Sequence, residues 1–89
     1  MGHLNIKVQG NVQRVYYRAS AKEAAIQNHV TGFVRNESDG SVYIEVEGSD
    51  ENLNSFIEWC WKGTPSSEVE EVMIEDGDLK NFSDFVISD

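Results

Sequence analysis

The sequence contains few of the features that mark secreted, membrane-spanning or nucleic-acid-binding proteins. Its 89 residues include one cysteine, Cys60, and one proline, and seven Lys and Arg stand against sixteen Asp and Glu. A single cysteine excludes an intrachain disulfide and suits a reducing compartment. No apolar run approaches the ~20 residues of a membrane span, and the start at Met1, Gly2 and His3 lacks the basic and then apolar order of a signal peptide. We therefore expect a cytoplasmic protein that does not enter a membrane.

The charge is strongly acidic but unevenly distributed. A net charge of −9 argues against nucleic acid as a partner, because its binding depends on Lys and Arg that neutralise phosphates. Residues 1–35, however, carry a net +4, and residues 36–89 carry −13. The local positive charge can attract an anion despite the overall sign, whereas the acidic remainder disfavours large polyanions. The distribution therefore favours a small anionic substrate.

The spacing of apolar residues predicts seven elements in a single domain spanning residues 1–89. They are five strands, at 4–10, 33–37, 41–47, 69–75 and 82–87, and two helices, at 17–29 and 50–62. This βαββαβ order with a final strand indicates a ferredoxin-like α+β sandwich, in which two helices cover one face of an antiparallel sheet. Because the same fold serves enzymes, RNA-binding domains and regulatory modules, it does not decide the function.

The strand at 41–47 alternates between apolar and polar residues, which predicts one buried and one solvated face. The core side would hold Val42, Ile44 and Val46, and the solvent side Ser41, Tyr43, Glu45 and Glu47. Asp50 is expected to cap the second helix. No functional role is expected for His3 or His29.

Residues 8–18 form the most informative segment. A β-branched run ends at Gly10, a short polar turn follows, and a helix-forming stretch begins near Tyr17. This geometry points backbone N–H groups outward at a helix N-terminus, where anions bind, and Arg18 could grip phosphate oxygens bidentately. The turn is not a nucleotide-binding loop of the Walker type, since no Lys-Ser/Thr pair follows Gly10. Taken alone, the pattern favours a purely structural turn, because many turns between a strand and a helix begin with Gly for backbone reasons only.

Two motifs resemble those of the acylphosphatases. The first reads V-x-G-x-V-Q-x-V-x-[aromatic]-R over residues 8–18, and the second reads G-x-V-R-N-x-x-D-G-x-V over residues 32–42. A looser third match comprises Trp59, Lys62, Gly63, Thr64, Pro65, Val69 and Val72. The resemblance covers nearly the whole chain. It departs from the family at two positions, where Arg14 replaces the usual Gly and Tyr17 replaces the usual Phe.

The resemblance implies hydrolysis of an acyl phosphate to a carboxylate and inorganic phosphate. It implies that Arg18 binds the phosphate and that Asn36 orients the attacking water. The phosphate cradle would consist of the backbone N–H groups of five residues, Gln13, Arg14, Val15, Tyr16 and Tyr17. No acidic cluster adjoins the loop in sequence, so we expect no metal ion and no other cofactor. The expected partners are a small acyl phosphate and the phosphate product, and the expected state is a monomer.

Arg14 leaves two hypotheses open. Either its side chain turns outward and the amides behind it still bind phosphate, or the loss of Gly forfeits a positive-φ conformation or fills the pocket and weakens the enzyme. A strained positive φ with the side chain folded over the loop would favour the second hypothesis. Glu37 raises a related question, because it would repel phosphate if it faced the pocket.

Two other functions are compatible with the fold. A catalytically weak or inactive module could use the same pocket to bind phosphate or another anion for regulation. An RNA-binding domain would need exposed aromatic residues with basic neighbours on its sheet, but Tyr43 stands beside Glu45 and Glu47. The sequence therefore favours a metal-independent acylphosphatase, with the anion-binding module as its alternative.

Overall fold

The apolar faces of the predicted elements come together in one sheet that two helices cover on one side. The computed structural model describes residues 1–88. In chain order the elements are β1 (Gly2–Asn11), α1 (Tyr17–Gln27), β2 (Thr31–Asn36), β3 (Val42–Gly48), α2 (Asp50–Lys62), β4 (Glu68–Gly77) and β5 (Phe85–Ile87). Across the sheet the strands lie in the order β4-β1-β3-β2-β5. The predicted ferredoxin-like sandwich with an added C-terminal strand is confirmed.

The sheet is mixed, which corrects the prediction that it is antiparallel throughout. β1 pairs antiparallel with β3 and β4, and β2 pairs antiparallel with β3. β5 instead runs parallel to β2, with Phe85 opposite Gly32. The reason is topological, because β4 and β5 lie at opposite edges and run in opposite directions. Residues 78–84 therefore cross one end of the sheet and bring β5 alongside β2.

Periodicity predicts that the inward faces hold Tyr17, Ala21, Ala24, Ala25 and Asn28 in the first helix and Leu53, Phe56, Ile57 and Cys60 in the second. All of these are buried except Asn28 and Ile57, which are half-buried. The buried set is Tyr17, Ala21, Ala24 and Ala25 in α1, and Leu53, Phe56 and Cys60 in α2. α2 begins after Ser49, whose hydroxyl accepts a hydrogen bond from the Asn52 N–H at 3.2 Å. The expected cap at Asp50 was therefore wrong by one residue, and Asp50 lies in the first turn, where the helix dipole favours an acid. No helix within residues 1–88 is long and apolar enough to cross a membrane.

Gly10 allows β1 to leave the sheet and enter the loop before α1. The pairing of β1 with β4 shifts register between Gln9 and Gly10, and Gly10 has a φ of 129°. A Cβ at this position would lie 2.1 Å from the backbone oxygen of Glu68, so no larger residue fits without moving β4. This glycine therefore fixes the direction in which the chain departs toward the candidate site.

Residues 78–84 cover part of the sheet face opposite the helices, where the sequence predicted solvent. The Lys80 and Phe82 N–H groups donate to the two carboxylate oxygens of Glu47 at 2.5 and 3.1 Å, and Lys80 Nζ lies 2.8 Å from Glu45 Oε1. Glu45 and Glu47 are only 7% and 3% exposed, and Ser41 is also buried. The expectation that these three residues face solvent was wrong, because alternation separates the two faces of a strand but does not reveal what packs on each.

His3, for which no role was expected, lies between these two carboxylates. Its Nδ1 is 2.7 Å from Glu47 Oε2 and its Nε2 is 3.0 Å from Glu45 Oε1. Burial by itself lowers the pKa of His3, but hydrogen bonds to Glu47 and Asn5 and the two negative charges outweigh burial and raise the pKa above its ordinary value. Burial has the opposite effect on the two carboxyl groups and by itself raises the pKa of each. Their hydrogen bonds and ion pairs with Lys80 and His3 outweigh burial and leave each pKa below its usual range.

We expect the free energy of unfolding to fall as the pH rises above about 6.5, the ordinary pKa of a histidine. A histidine whose pKa is raised on folding contributes stability that is complete below its unfolded pKa of about 6.5 and is lost as the pH rises through the folded pKa. For Glu45 and Glu47, whose pKa is lowered, the sign is opposite, and stability falls again as the pH drops below about 4. Urea denaturation at a series of pH values measures both limbs.

The alkaline limb should depend on His3. We expect His3→Gln to be less stable than the wild type near pH 6 and to lose less stability on going to pH 9. His29→Asn provides the matched control, since His29 is exposed and has a φ of 57°, which Asn tolerates. This control should keep the wild-type pH profile. Equal alkaline slopes in the wild type and His3→Gln would contradict the assignment.

Candidate active site

A hollow of about 340 Å³ opens at the end of the sheet where β1 leads into α1 and where β2 ends. It is lined by Val12, Arg14, Tyr16, Tyr17, Arg18, Ala19, Asn36 and Ile87. Within the part of the chain that the structure describes, two arginines and no Asp or Glu belong to this lining. The hollow therefore offers a locally positive surface in a chain of net charge −9.

The loop that forms one wall of the hollow contains two non-glycine residues in the left-handed conformation. Arg14 and Tyr16 both have a φ of 62°, and the residues on either side of them have negative φ. Such alternation is typical of backbone nests, in which successive N–H groups point into one anion-binding concavity. Holding an L-residue in this conformation costs about 1–2 kcal/mol. The surrounding contacts must therefore impose it.

Tyr16 also occupies the N-cap position of α1. Within residues 1–88, no side chain forms a capping hydrogen bond at this end of the helix. The first N–H groups of a helix have no intrahelical acceptor, and they carry the positive end of the helix dipole. At this end of α1 they adjoin the left-handed loop, so that both backbone features favour an anion at the same place.

Two hydrogen bonds hold the loop against the end of α2, one from Tyr17 and one to Val15. Tyr17 is buried, and its hydroxyl donates to the Cys60 carbonyl at 2.7 Å. Burial raises the pKa of Tyr17, so that the phenol remains a neutral donor. The Val15 carbonyl accepts a hydrogen bond from the Thr64 hydroxyl at 2.9 Å. These contacts tie the loop to the C-terminal end of α2 and the turn that follows it.

Gln13 connects the loop to the hairpin that carries Asn36. Its side-chain amide nitrogen donates to the carbonyls of Glu37 and Ser41 at 2.8 and 2.9 Å. Glu37 directly follows the last residue of β2, and Ser41 directly precedes β3. The sequence predicted only a backbone role for Gln13. Its side chain additionally fixes the distance between the loop and the end of β2.

Arg18 and Asn36 come together at the hollow, although the two motifs that contain them are separate in sequence. Arg18 lies in the first turn of α1, and Asn36 is the last residue of β2. Asn36 Oδ1 is buried, and no protein group in residues 1–88 donates a hydrogen bond to it. Such orphaned acceptors are rare in folded proteins and require an explanation. A water or ligand in the hollow would supply the donor.

Glu37 does not line the hollow. Its carboxylate lies 3.4 Å from Arg35 Nε. The guanidinium carbon of Arg35 lies 4.8 Å from the ring centroid of Tyr43, on the other face of the sheet. The strand alternation that brings Asn36 to the helix side sends Arg35 and Glu37 to the opposite side. Repulsion of a bound phosphate by Glu37 is thereby avoided, which answers the question that the sequence left open.

Arg14 lies at the hollow with an exposed side chain. It adopts the positive φ that a glycine would take, so the replacement of Gly has not forfeited the left-handed conformation. The strained positive φ is the part of the criterion that favours the second hypothesis, whereas the exposure of the side chain favours the first.

Five of the seven residues expected at the site line the hollow: Arg14, Tyr16, Tyr17, Arg18 and Asn36. The side chains of the other two, Gln13 and Val15, point elsewhere, the first to the hairpin and the second to the core. The lining also includes three residues that were not predicted from the sequence: Val12, Ala19 and Ile87. Ile87 arrives through the parallel pairing of β5 with β2, opposite Val34, and no sequence signal indicates that pairing.

No nucleophilic Cys, Ser, His, Asp or Glu side chain is among the described residues that line the hollow. Cys60 is in the core, and burial raises its pKa to about 12. Over residues 1–88, no three His, Cys, Asp or Glu side chains gather in an arrangement that could hold a metal ion. What the described site offers is guanidinium groups, backbone N–H groups and one side-chain amide.

Comparisons with known proteins identify the family. The family model for acylphosphatase matches residues 4–87. The acylphosphatase of Pelotomaculum thermopropionicum is 39% identical over 85 residues, which cover 94% of this chain and 92% of that protein. The acylphosphatase of Shewanella amazonensis is 38% identical over 89 residues and covers 99% and 98%. The crystal structure of acylphosphatase from Bacillus subtilis superposes with a TM-score of 0.96 at 32% identity, over 99% of both chains.

These matches cover nearly the full length of the chain and include both motifs around the hollow. The fold, the motif spacing and the relatives all agree, and the chain belongs to the acylphosphatase family.

Proposed function

We propose that this protein hydrolyses small acyl phosphates to a carboxylate and inorganic phosphate without a metal ion. The observation that carries the proposal is the meeting of Arg18 and Asn36 at one hollow, beside a left-handed loop and the N-terminus of α1. Phosphoryl transfer requires mainly positioning and stabilisation of charge on the phosphoryl oxygens. The groups around this hollow suit both tasks.

In this proposal, residues 13–17 act as a phosphate-binding loop. The backbone N–H groups of Gln13, Arg14, Val15, Tyr16 and Tyr17 donate to the phosphoryl oxygens, and the Arg18 guanidinium binds them as a cation. Such charge-assisted hydrogen bonds are about twice as strong as neutral ones. Because the loop is already held by the Thr64 and Cys60 contacts, its donors need little reorganisation when the charge develops.

Asn36 orients the attacking water in this mechanism. Its buried Oδ1 accepts no hydrogen bond from any protein group in residues 1–88 and can accept one from the water, which places the water oxygen near the phosphorus. The water oxygen forms a bond to phosphorus as the bond between phosphorus and the acyl oxygen breaks. The electron pair of that bond leaves with the carboxylate, and the protons of the water pass to the phosphate product and the solvent.

The leaving group explains why so sparse a site is sufficient. A carboxylate has a conjugate acid with a pKa of about 4, so it departs as an anion at neutral pH and needs no general acid. Asn36 is too weak a base to deprotonate water fully, but a loose transition state for phosphoryl transfer demands little from a base. The proposal therefore requires neither a phosphoenzyme nor a cofactor.

We further propose that the protein works as a monomer in the cytoplasm, as a single domain over residues 1–89. All the residues that the mechanism uses come from one chain, and a buried free thiol at Cys60 suits a reducing compartment. The alternative, an inactive anion-binding module, is not favoured by the family comparison, and a turnover assay separates the two.

We expect Arg18→Ala and Asn36→Ala each to lower kcat/KM for acetyl phosphate by a factor on the order of 100 or more. The reason is that the first loses a donor that stabilises the transition state and the second loses the group that positions the water. Asn36→Ala should leave the melting temperature almost unchanged, because its Oδ1 accepts no hydrogen bond within residues 1–88. Lys22→Ala, one turn further along α1, is the matched control and should retain activity. Near-full turnover in either site variant would refute the assigned roles.

The side chain of Gln13 should affect the position of the water more than the binding of phosphate. We expect Gln13→Met to lower kcat by about tenfold, since it removes both hydrogen bonds to the hairpin that carries Asn36. The inhibition constant of inorganic phosphate should change far less, because the loop amides and Arg18 remain. Gln27→Met, at the exposed end of α1, is the control. An unchanged kcat in Gln13→Met would show that the connection is dispensable.

Hydrolysis should persist after exhaustive treatment with a chelator and should be inhibited competitively by inorganic phosphate and sulfate. The physical reason is that a tetrahedral anion would occupy the same amides and guanidinium as the substrate phosphate. Steady-state assays with and without chelator, followed by titration with sulfate, measure both effects. Complete loss of turnover that Mg²⁺ restores would exclude the metal-independent mechanism.

A further inference from the structure

The hollow is larger than a phosphate group needs. If each of the five heavy atoms of phosphate takes no more space than a water, ~30 Å³, the group fills about 150 Å³. The hollow measures about 340 Å³, so it has room for an acyl part as well. The residues beyond the phosphate loop therefore contact that acyl part and can select among substrates.

Arg14 is the charged residue at the hollow that the hydrolytic mechanism uses only through its backbone. Its side chain is exposed, and within residues 1–88 it forms no ion pair with a carboxylate. Arg35 provides the contrast, since its guanidinium pairs with Glu37 and stacks on Tyr43. Arg14 is moreover held in the left-handed conformation, which disfavours any residue other than Gly, Asn or Asp. A strained residue whose exposed side chain has no carboxylate partner within residues 1–88 points to a role in binding.

We propose that Arg14 makes this enzyme prefer acyl phosphates whose acyl part carries a second anionic group, a carboxylate or a phosphate. The inference rests on the proposed hydrolysis of acyl phosphates at the same hollow. A guanidinium binds either anion through a planar pair of N–H donors. The hollow then holds two cations for two anions, with Arg18 for the transferred phosphoryl group and Arg14 for the far end of the substrate. The acidic remainder of the chain repels such a substrate from other surfaces, and the two arginines attract it to this one.

The proposal is tested with two substrates that differ only at the end remote from the phosphate. Monofumaroyl phosphate ends in a carboxylate, and crotonyl phosphate ends in a methyl group on the same trans four-carbon acyl chain. The trans double bond prevents the carboxylate from attacking its own acyl carbon. The measured quantity is the ratio of kcat/KM for the fumaroyl substrate to kcat/KM for the crotonyl substrate. Comparing this ratio between the wild type and the variants cancels the intrinsic reactivity of the two compounds.

We expect Arg14→Gln and Arg14→Gly to lower this ratio by about fivefold, the effect of an exposed ion pair at the upper end of its usual range. Arg14→Lys keeps the charge and should retain most of the ratio. Arg35→Gln, the matched loss of a guanidinium on the other sheet face, should leave the ratio unchanged. In the wild type the ratio should fall as the ionic strength rises, because salt screens exposed charges. The melting temperature of Arg14→Gly should be at least that of the wild type, since Gly adopts the left-handed conformation without strain.

The outcomes separate this inference from the proposed function. If the wild type hydrolyses crotonyl phosphate and the ratio of kcat/KM values is unchanged in Arg14→Gln and Arg14→Gly, the proposed selectivity is wrong and the proposed hydrolysis stands. An equal decrease of the ratio in Arg35→Gln would also overturn the selectivity, because the effect would then come from the total charge of the protein and not from Arg14. A third outcome is that the wild type prefers the crotonyl substrate, with this preference lost in Ile87→Ala and kept in the Arg14 variants. That result would overturn the proposal and indicate that the hollow selects an apolar acyl group. Absence of turnover with either substrate in the wild type would overturn both proposals together.

Discussion

The candidate site depends on the contacts that hold residues 12–16 in a conformation their sequence does not favour. Two left-handed non-glycine residues in so short a loop are costly, and the tertiary structure imposes them from three directions. The Tyr17 hydroxyl forms a hydrogen bond with the end of α2, the Val15 carbonyl forms one with Thr64, and the Gln13 side chain forms two with the hairpin. In each of these hydrogen bonds the acceptor is a backbone carbonyl. The shape of the loop therefore follows from the packing of the two helices on the sheet.

The Gln13 contact has a particular consequence because it joins the two motifs. In the proposed mechanism the loop supplies the amides and Arg18, and the hairpin supplies Asn36. Two hydrogen bonds of 2.8 and 2.9 Å join the loop to the hairpin. Catalysis by positioning is sensitive to displacements of about 1 Å. In the proposed mechanism no general acid, nucleophilic side chain or metal ion takes part, so the rate depends on such positioning.

Charge is divided between the two faces of the sheet and between its two ends. At the end where β2 and β5 finish, Arg14 and Arg18 line the hollow. At the other end and on the other face, Glu45 and Glu47 are neutralised by His3, Lys80 and the N–H groups of residues 78–84. Two acids of a very acidic chain are thus paired with local partners far from the hollow.

The sequence by itself determined the order of the elements, the inward faces of α1, α2 and β3, and the two motifs that carry Arg18 and Asn36. These features are local, because periodicity, turn residues and motif spacing act over a few neighbouring positions. Only the tertiary structure decided that β5 runs parallel to β2, that residues 78–84 bury Glu45, Glu47 and His3, and that the side chain of Gln13 connects the motifs. It also decided that Arg14 adopts a glycine conformation and that Ile87 reaches the hollow. Each of these depends on contacts between segments distant in sequence, and no local pattern encodes which distant segment will cover a given face.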